Sequence, residues 1–329
     1  MSDWKRILGN QDHIQHMKEA AEAGRLPHAY IIHGAAGSGK KTFAGYMAAA
    51  LLCEKGVKAG PCLKCPSCIK AMTHNHPDII WTVHEKKTVL AVQEIRDQVV
   101  STVQVAPYYG PYKIYIISDA QLLNEHGQNA LLKTIEEPPE YVLIFLLTDN
   151  ADALLDTIRS RCIRLDMESL DRKTIEEELI SSGHSPGEAK ECACFARGNL
   201  GIAKELAGGS ELRELKDQTI KNIKSIKNLD ALEIFRFSSE LDKETGGQVL
   251  DIMLKWFRDV LIIKSDGARD NLYFENDKAV AARQAEGLSF ESLGRIIDRI
   301  EETGVRLSSG VKPEAAFETL FLKIREEYV

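Results

Sequence analysis

No apolar run in this 329-residue chain approaches the roughly 20 residues needed to cross a bilayer. The most hydrophobic stretch, Tyr141 to Leu147, has the length of a buried strand. The opening Met-Ser-Asp-Trp-Lys-Arg lacks the apolar segment of a secretory leader, so a cytoplasmic protein with no membrane partner is expected. Basic charge is not in excess either: 42 Lys and Arg stand against 49 Asp and Glu, a net charge of −7 and a pI near 5.8. That balance excludes a chain whose overall field draws in nucleic acid; contact with DNA has to come from a local patch or from partner chains. Internal repeats and low-complexity segments are missing as well. In a reducing compartment the seven cysteines should be reduced, metal-bound or simply buried. What remains is 44% hydrophobic and 28% charged, the composition of a soluble globular protein, and the length suits two or three domains.

The chain is organised around Ala29-Tyr-Ile-Ile-His-Gly-Ala-Ala-Gly-Ser-Gly-Lys-Lys-Thr42. Ala29 to Ile32 reads as a short buried strand, Gly34, Gly37, Ser38 and Gly39 as a tight loop, and Phe43 to Leu52 as a helix. Strand, glycine loop and helix together make a phosphate-binding loop, in which backbone N–H groups and the helix dipole face phosphate oxygens. Lys40 occupies the place of the lysine that reaches the outer phosphates. The next position calls for a Ser or Thr to hold Mg²⁺, and it is Lys41. Thr42 comes one residue late, rotated by about 100° around the helix, and cannot simply take over. Lys41 would put a cation where the metal belongs, disfavouring Mg²⁺ while tolerating phosphate. A glycine turn that holds no nucleotide is the competing reading.

Trp4 to Gly24 reads as one amphipathic helix with its entry loop, and Ile7 to Asn10 could pack on an adenine or on the core. After the phosphate-loop helix, Cys53, Cys62, Cys65 and Cys68 have the spacing C-x8-C-x2-C-x2-C, which suits a closed tetrahedral Cys₄ site for structural zinc. His74 and His76 are alternative ligands; His76-Pro77-Asp78 also reads as the turn into a strand, Ile79 to Val83. A helix over Gln93 to Val103 buries Ile95, Val99 and Val103, and a Tyr- and Gly-containing loop, Pro107 to Pro111, leads into a strand from Lys113. At the end of that strand a P-loop ATPase needs an Asp to order Mg²⁺ and a Glu to activate water; this chain has Ser118 and Asp119. Asp119 reads equally as a helix cap. Leu122 to Glu137 is a helix stopped by Pro138-Pro139, with Leu123, Ala130, Leu131 and Ile135 on its inner face. Thr148, closing the strand Tyr141 to Thr148, is placed to sense a γ-phosphate. A helix from Asp152 ends in Ile158-Arg-Ser-Arg-Cys-Ile163, a basic cap before a last strand.

Asn129-Ala-Leu-Leu-Lys-Thr-Ile-Glu-Glu-Pro-Pro139, followed by Ser160-Arg-Cys162 and combined with the Cys₄ insert, resembles the clamp-loader branch of the AAA+ ATPases, whose bacterial members serve DNA polymerase III. The resemblance covers nearly the whole chain. It implies an α/β P-loop AAA+ domain over 1–166, a parallel sheet with flanking helices and the zinc-knuckle insert at 53–68. A small helical lid domain over 167–209 and an all-α collar for oligomerisation over 210–329 would follow. In that lid, Leu179, Ala189, Cys192 and Phe195 are the expected core. In the collar, Val249, Met253, Trp256, Val260 and Ile263 form one buried stripe, and Leu293, Ile296, Ile297 and Ile300 another. Phe317, Leu320, Phe321 and Ile324 should be buried on the final helix.

By the same resemblance, Arg161 matches an arginine finger acting in trans on a neighbour's ATP, although by itself it would read as a helix cap. The family's second phosphate-sensing Arg, in a Gly-x-x-Arg-x-Ala context, is here Gly201. With Lys41, Ser118 and Gly201 each removing a hydrolysis element, the implied role is a non-hydrolysing scaffold of the clamp loader within the DNA-directed DNA polymerase holoenzyme. ATP or ADP held without turnover is compatible with this role and not required by it. The implied partners are tau/gamma ATPase subunits and a delta subunit in a five-membered ring, the sliding clamp, and primer-template DNA through the complex. The rival readings are an ATP-hydrolysing clamp-loader subunit and a P-loop nucleotide kinase.

Overall fold

A computed structural model describes residues 4, 7–82, 92–265 and 272–328. Val83, the expected last residue of the second strand, lies outside them. The chain forms two compact units, Met1–Leu170 and Asp171–Val329.

The first unit is α/β. Its helices are α1 (Gln11–Glu22), α2 (Lys40–Leu51), α3 (Pro66–Met72), α4 (Val92–Ile95), α5 (Glu125–Glu136) and the single turn α6 (Asp156–Arg159). Strands β1 (Ala29–His33), β2 (Ile79–Trp81), β3 (Lys113–Ile117), β4 (Val142–Thr148) and β5 (Ile163–Asp166) make one parallel sheet in the order β2-β3-β4-β1-β5. Because side chains alternate across a strand, β1 serves two cores. Tyr30 and Ile32 pack on the side of α1 and α2, with Phe43, Met47 and Met17. Ala29 and Ile31 pack on the other side, with Ile95, Leu131, Ile135 and Ile158. A parallel sheet covered on both faces needs such continuous apolar strands, and β3 and β4 are buried throughout.

Three local readings gain detail. The first helix starts only at Gln11, because Asn10 sits left-handed at φ 57° and is tied to the chain after β5: its side chain accepts from Glu168 N, and its N–H donates to Glu168 Oε2. Trp4 and Ile7 are buried in the core beside α1. The helix expected over Gln93 to Val103 is α for one turn and then widens over Arg96–Val100, where Ser101 N reaches back to Arg96 O; Ile95, Val99 and Val103 are buried as expected.

The second unit is helical: α7 (Arg172–Ser181), α8 (Pro186–Ala196), α9 (Leu200–Ala207), α10 (Glu211–Lys224), α11 (Ala231–Ser239), α12 (Lys243–Lys264), α13 (Lys278–Gly287), α14 (Phe290–Ser308) and α15 (Pro313–Glu326). Val249, Met253, Trp256 and Val260 form a fully buried stripe on α12, while Ile297 on α14 is half-buried beside the buried Leu293, Ile296 and Ile300. Leu179, Ala189, Cys192 and Phe195 are buried, as are Phe317, Leu320, Phe321 and Ile324. Charged pairs cross between α7–α8 and the later chain: Arg172 grips Glu275 bidentately (2.5 and 3.2 Å), and Lys216 meets Glu191 at 2.5 Å. Among the described residues, no helix is long and apolar enough to cross a membrane.

Candidate functional site

The phosphate loop leaves the C-terminal end of β1 between β4 and β5, where parallel α/β sheets place their ligand crevice. Gly34 N donates to Thr148 O (3.1 Å), pinning the loop to the neighbouring strand end. A side chain at Gly34 would run into Ser38 Oγ at 2.7 Å and Met167 Cβ at 2.9 Å, so only glycine passes there. Gly39 caps α2 at φ 90°, a conformation that also selects glycine. Lys40 curls back over the loop and donates to Gly34 O (2.5 Å) and Ala35 O (2.9 Å). Burial lowers its pKa, opposed by the nearby charges of Asp149 and Asp119. Ser38 Oγ is buried with no hydrogen-bond partner among the described residues.

The structure brings Lys41 and Asp119 together across 78 positions of sequence: Lys41 Nζ lies 3.6 Å from Asp119 Oδ2. Asp119 turns left-handed (φ 53°) straight after β3 and starts a short 3₁₀ turn, Ala120–Leu122. Ser118 is buried and Thr42 is exposed on the next helical position. A donor set that includes an ammonium repels a divalent cation, so the residues here do not fit Mg²⁺. Thr148 is turned away from a sensing role. Its hydroxyl is closed into its own turn, donating to Asn150 O (2.9 Å) and accepting from Asn150 N (3.1 Å).

Arg161 stands after α6, and the sequence alone gave no sign of how that corner is built. Buried Gln128 on α5 acts as a staple: its Nε2 donates to Leu123 O and Ala153 O (3.0 Å each), and its Oε1 accepts from Leu155 N at 2.7 Å. Ile158 and Cys162 are buried anchors on either side, and burial pushes the Cys162 thiol up to about 12. Arg159 is neutralised by Asp152 (2.6 Å) and Asp156. Arg161 instead extends its Nη2 to Glu136 Oε1 (3.0 Å) in the Glu-Glu-Pro-Pro stretch, and its Nη1 donates to Thr157 O (3.0 Å) and Ser160 Oγ (3.3 Å). Its side chain is 41% exposed. A search for Glu opposite Ser-Arg-Cys could have found the partner only with the fold in hand.

Cys53, Cys62, Cys65 and Cys68 are all buried, with their Sγ atoms within 4.8 Å of one another, and none is in a disulfide. A tetrahedral site with metal–sulfur bonds of about 2.3 Å separates its sulfurs by about 3.8 Å, so this set can hold a metal ion with a small contraction. Cys65 caps α3, and the N–H groups of Cys65 and Cys68 point at Cys62 Sγ and Cys65 Sγ (3.4 Å each). Backbone N–H groups of Lys64 and Cys65 draw the Cys62 thiol down to about 6. A Cβ at Gly60 would meet Cys53 Cβ at 2.7 Å. His76 is no ligand: its Nε2 meets Ser67 Oγ (3.1 Å) and its Nδ1 accepts from Asp78 N (3.1 Å), forming the turn. His74 lies against the Trp81 ring at 4.5 Å. A further residue missed by sequence reading is Asp78, whose buried carboxylate accepts from the N–H groups of Tyr108, Tyr109 (2.7 Å) and Gly110 (3.3 Å). In the helical unit, a cavity of about 570 Å³ is lined by Phe195, Tyr273 and Phe274 and by Lys190, Lys216 and Lys224, each lysine paired with an acid; it contains none of the site residues expected from the sequence.

The family described as "DNA polymerase III, delta subunit" matches residues 9–171. The delta' subunit of DNA polymerase III from Bacillus subtilis is 29% identical over 334 residues, covering 98% of each chain. The Pseudomonas aeruginosa delta' subunit is 29% identical over 70% of each chain. The Escherichia coli tau subunit is 33% identical over 60% of this chain, which spans only 31% of that much longer protein. The phosphate loop, the Cys₄ insert and the Arg161 corner all lie within the matched residues 9–171, and of these three relatives the Bacillus subtilis delta' subunit is similar from end to end. The chain is thus similar, over nearly its whole length, to a delta' subunit of DNA polymerase III, and its first unit matches the DNA polymerase III delta subunit family model.

Proposed function

We propose that this chain is a non-hydrolysing scaffold of the clamp loader, giving Arg161 to the ATP site of a neighbouring tau/gamma subunit. A planar guanidinium stabilises the charge of phosphoryl transfer without needing deprotonation. The observation that carries this reading is the contrast within one unit: Lys41 is paired with the only acid at the hydrolysis positions, while Arg161 stands on a stapled, half-exposed corner. Three successive parts are assigned: an AAA+ domain (1–166), a lid (167–209) and a collar (210–329) that joins a ring of five with tau/gamma and delta subunits. The ring acts on the sliding clamp and, through the complex, on primer-template DNA in the cytoplasm. The four cysteines hold one structural zinc, which leaves no open coordination position and so staples the insert to the end of α2.

Two measurements on purified protein test this. Steady-state ATPase of the isolated chain should be indistinguishable from that of Lys40→Ala, and mixing with tau/gamma and delta subunits should yield a stable complex. Turnover that disappears with Lys40→Ala would restore the hydrolysing alternative, and failure to enter the complex would remove the scaffold role.

A further inference from the structure

The proposed absence of hydrolysis leaves the phosphate loop itself intact, and the structure indicates what it can still do. All loop glycines are present, Gly39 holds the left-handed cap of α2, and Lys40 lies on the loop carbonyls, the position from which it can swing to a ligand. Only the metal-holding part has changed.

We infer that Lys41, placed by Asp119, stands in for the divalent cation, so that the loop binds polyphosphate anions as the metal-free species, without a bound Mg²⁺. This inference rests on the non-hydrolysing reading of the same site. In an ordinary P-loop, Mg²⁺ bridges the β- and γ-oxygens from the helix position after the lysine. That position is Lys41, a compact point charge with three donors. At 3.6 Å its ammonium is close enough to Asp119 for charge pairing yet beyond a hydrogen bond, so the ammonium is oriented without being saturated. With side-chain exposures of 63% and 37%, the pair is accessible to an incoming anion. Buried Ser38 Oγ, unpartnered inside the loop, supplies a further polar group for an oxygen ligand. Asp119 has two opposed effects: it places Lys41, and its own charge, with that of Asp149 near Lys40, weakens the field an anion meets. Removing it should therefore strengthen binding, the reverse of what a metal ligand would do.

The test is calorimetric titration of the isolated chain with ATP and with inorganic pyrophosphate, in EDTA and in excess Mg²⁺. Wild type should bind both anions saturably in EDTA, with an apparent affinity that falls in excess Mg²⁺ because the metal draws the free anion into its own complex. Asp119→Asn should bind metal-free anion about three- to tenfold more tightly, as expected for removing one screened like charge near the ligand. Lys41→Thr, which restores the hydroxyl, should lose metal-free affinity and recover part of it when Mg²⁺ is added. Lys40→Met should abolish binding. Thermal melts of the three variants check folding, since Lys41 is exposed and Lys40 and Asp119 are half-buried. A tenfold or greater gain for wild type on adding Mg²⁺, weaker Mg²⁺-dependent binding by Asp119→Asn, or no saturable binding at millimolar anion overturns the inference. None of these results bears on Arg161, which is tested separately in the assembled complex.

Discussion

Lys41 and Arg161 are cations in the same α/β unit, and their surroundings are built for opposite ends. Lys41 faces an acid of its own site, which occupies both the metal position and the remaining carboxylate. Arg161 follows a one-turn helix that Gln128 staples to α5, and it meets a single half-exposed acid from another element. Its neighbour Arg159, two residues earlier, has two acids, Asp156 of its own turn and Asp152 of the preceding one. On the proposed reading the difference is one of setting: Lys41 meets Asp119 within the phosphate loop's own site, and Arg161, held by Glu136, Thr157 and Ser160, stands on a stapled edge.

The largest effect expected is at the metal knuckle that continues α2, the helix on which Lys41 sits. With zinc held as proposed, Cys65→Ser should remove it and the roughly 10–16 kcal/mol that zinc contributes to such a segment. Elemental analysis should fall from one zinc per chain to none, and amide exchange should lose protection across residues 53–75. Protection of β1, β3 and β4 should persist, because their core, with Ile31, Ile114 and Phe145, is built without the cysteines. Loss of protection throughout the sheet would mean that the knuckle supports both corners.

A smaller effect is expected at a buried acid whose carboxylate is only partly satisfied. Asp259 on α12 is 1% exposed, its Oδ2 accepts from Phe274 N (2.8 Å), and its Oδ1 has no partner among the described residues. Burial raises its pKa, against the Phe274 and Tyr273 N–H groups and the charges of Arg197 and Arg258. A carboxyl whose folded pKa lies above its unfolded value of about 4 favours folding at low pH, and that contribution fades as pH rises through the folded value. Asp259→Asn should therefore stabilise the protein at pH 7 by about 1–2 kcal/mol and change little at pH 4. Melting curves at the two pH values check it, and equal shifts at both would show that charge burial is not the cause.

The smallest effect is expected for Glu136→Gln. The pair with Arg161 is exposed on both sides (41% and 44%), so its loss should cost less than about 1 kcal/mol of stability. A larger loss in urea titrations would mean that Arg161 is a structural cap of α5 and α6, which would blur the contrast with Lys41.

What the sequence made legible was local. The phosphate loop, the cysteine spacing and the Ser-Arg-Cys turn are short patterns, and the structure places each on the expected kind of element. The pairings that decide function join distant positions: Lys41 with Asp119, Arg161 with Glu136, Asp78 with the Tyr108–Gly110 backbone. Periodicity holds no information on these, because they depend on which strand ends become neighbours. Thr148 illustrates the limit: its position at a strand tip was readable, whereas the turn that occupies its hydroxyl was not. In the helical unit the buried stripes were visible at helical spacing, but the Arg172–Glu275 and Lys216–Glu191 pairs were not.

The most direct test of the account is the rate of clamp loading by a complex assembled with Arg161→Ala. An arginine finger is worth on the order of 10³–10⁵ in rate at its own site. With one of several ATP sites affected, the whole complex should load clamps several-fold more slowly while assembling normally. Arg161→Lys should recover only part of the rate, since lysine keeps the charge and loses the planar fork. Arg159→Ala, whose guanidinium is held by Asp152 and Asp156, should load at the wild-type rate. A wild-type rate for Arg161→Ala, or identical behaviour of the Arg159 and Arg161 variants, would contradict the account and leave Arg161 as a helix cap.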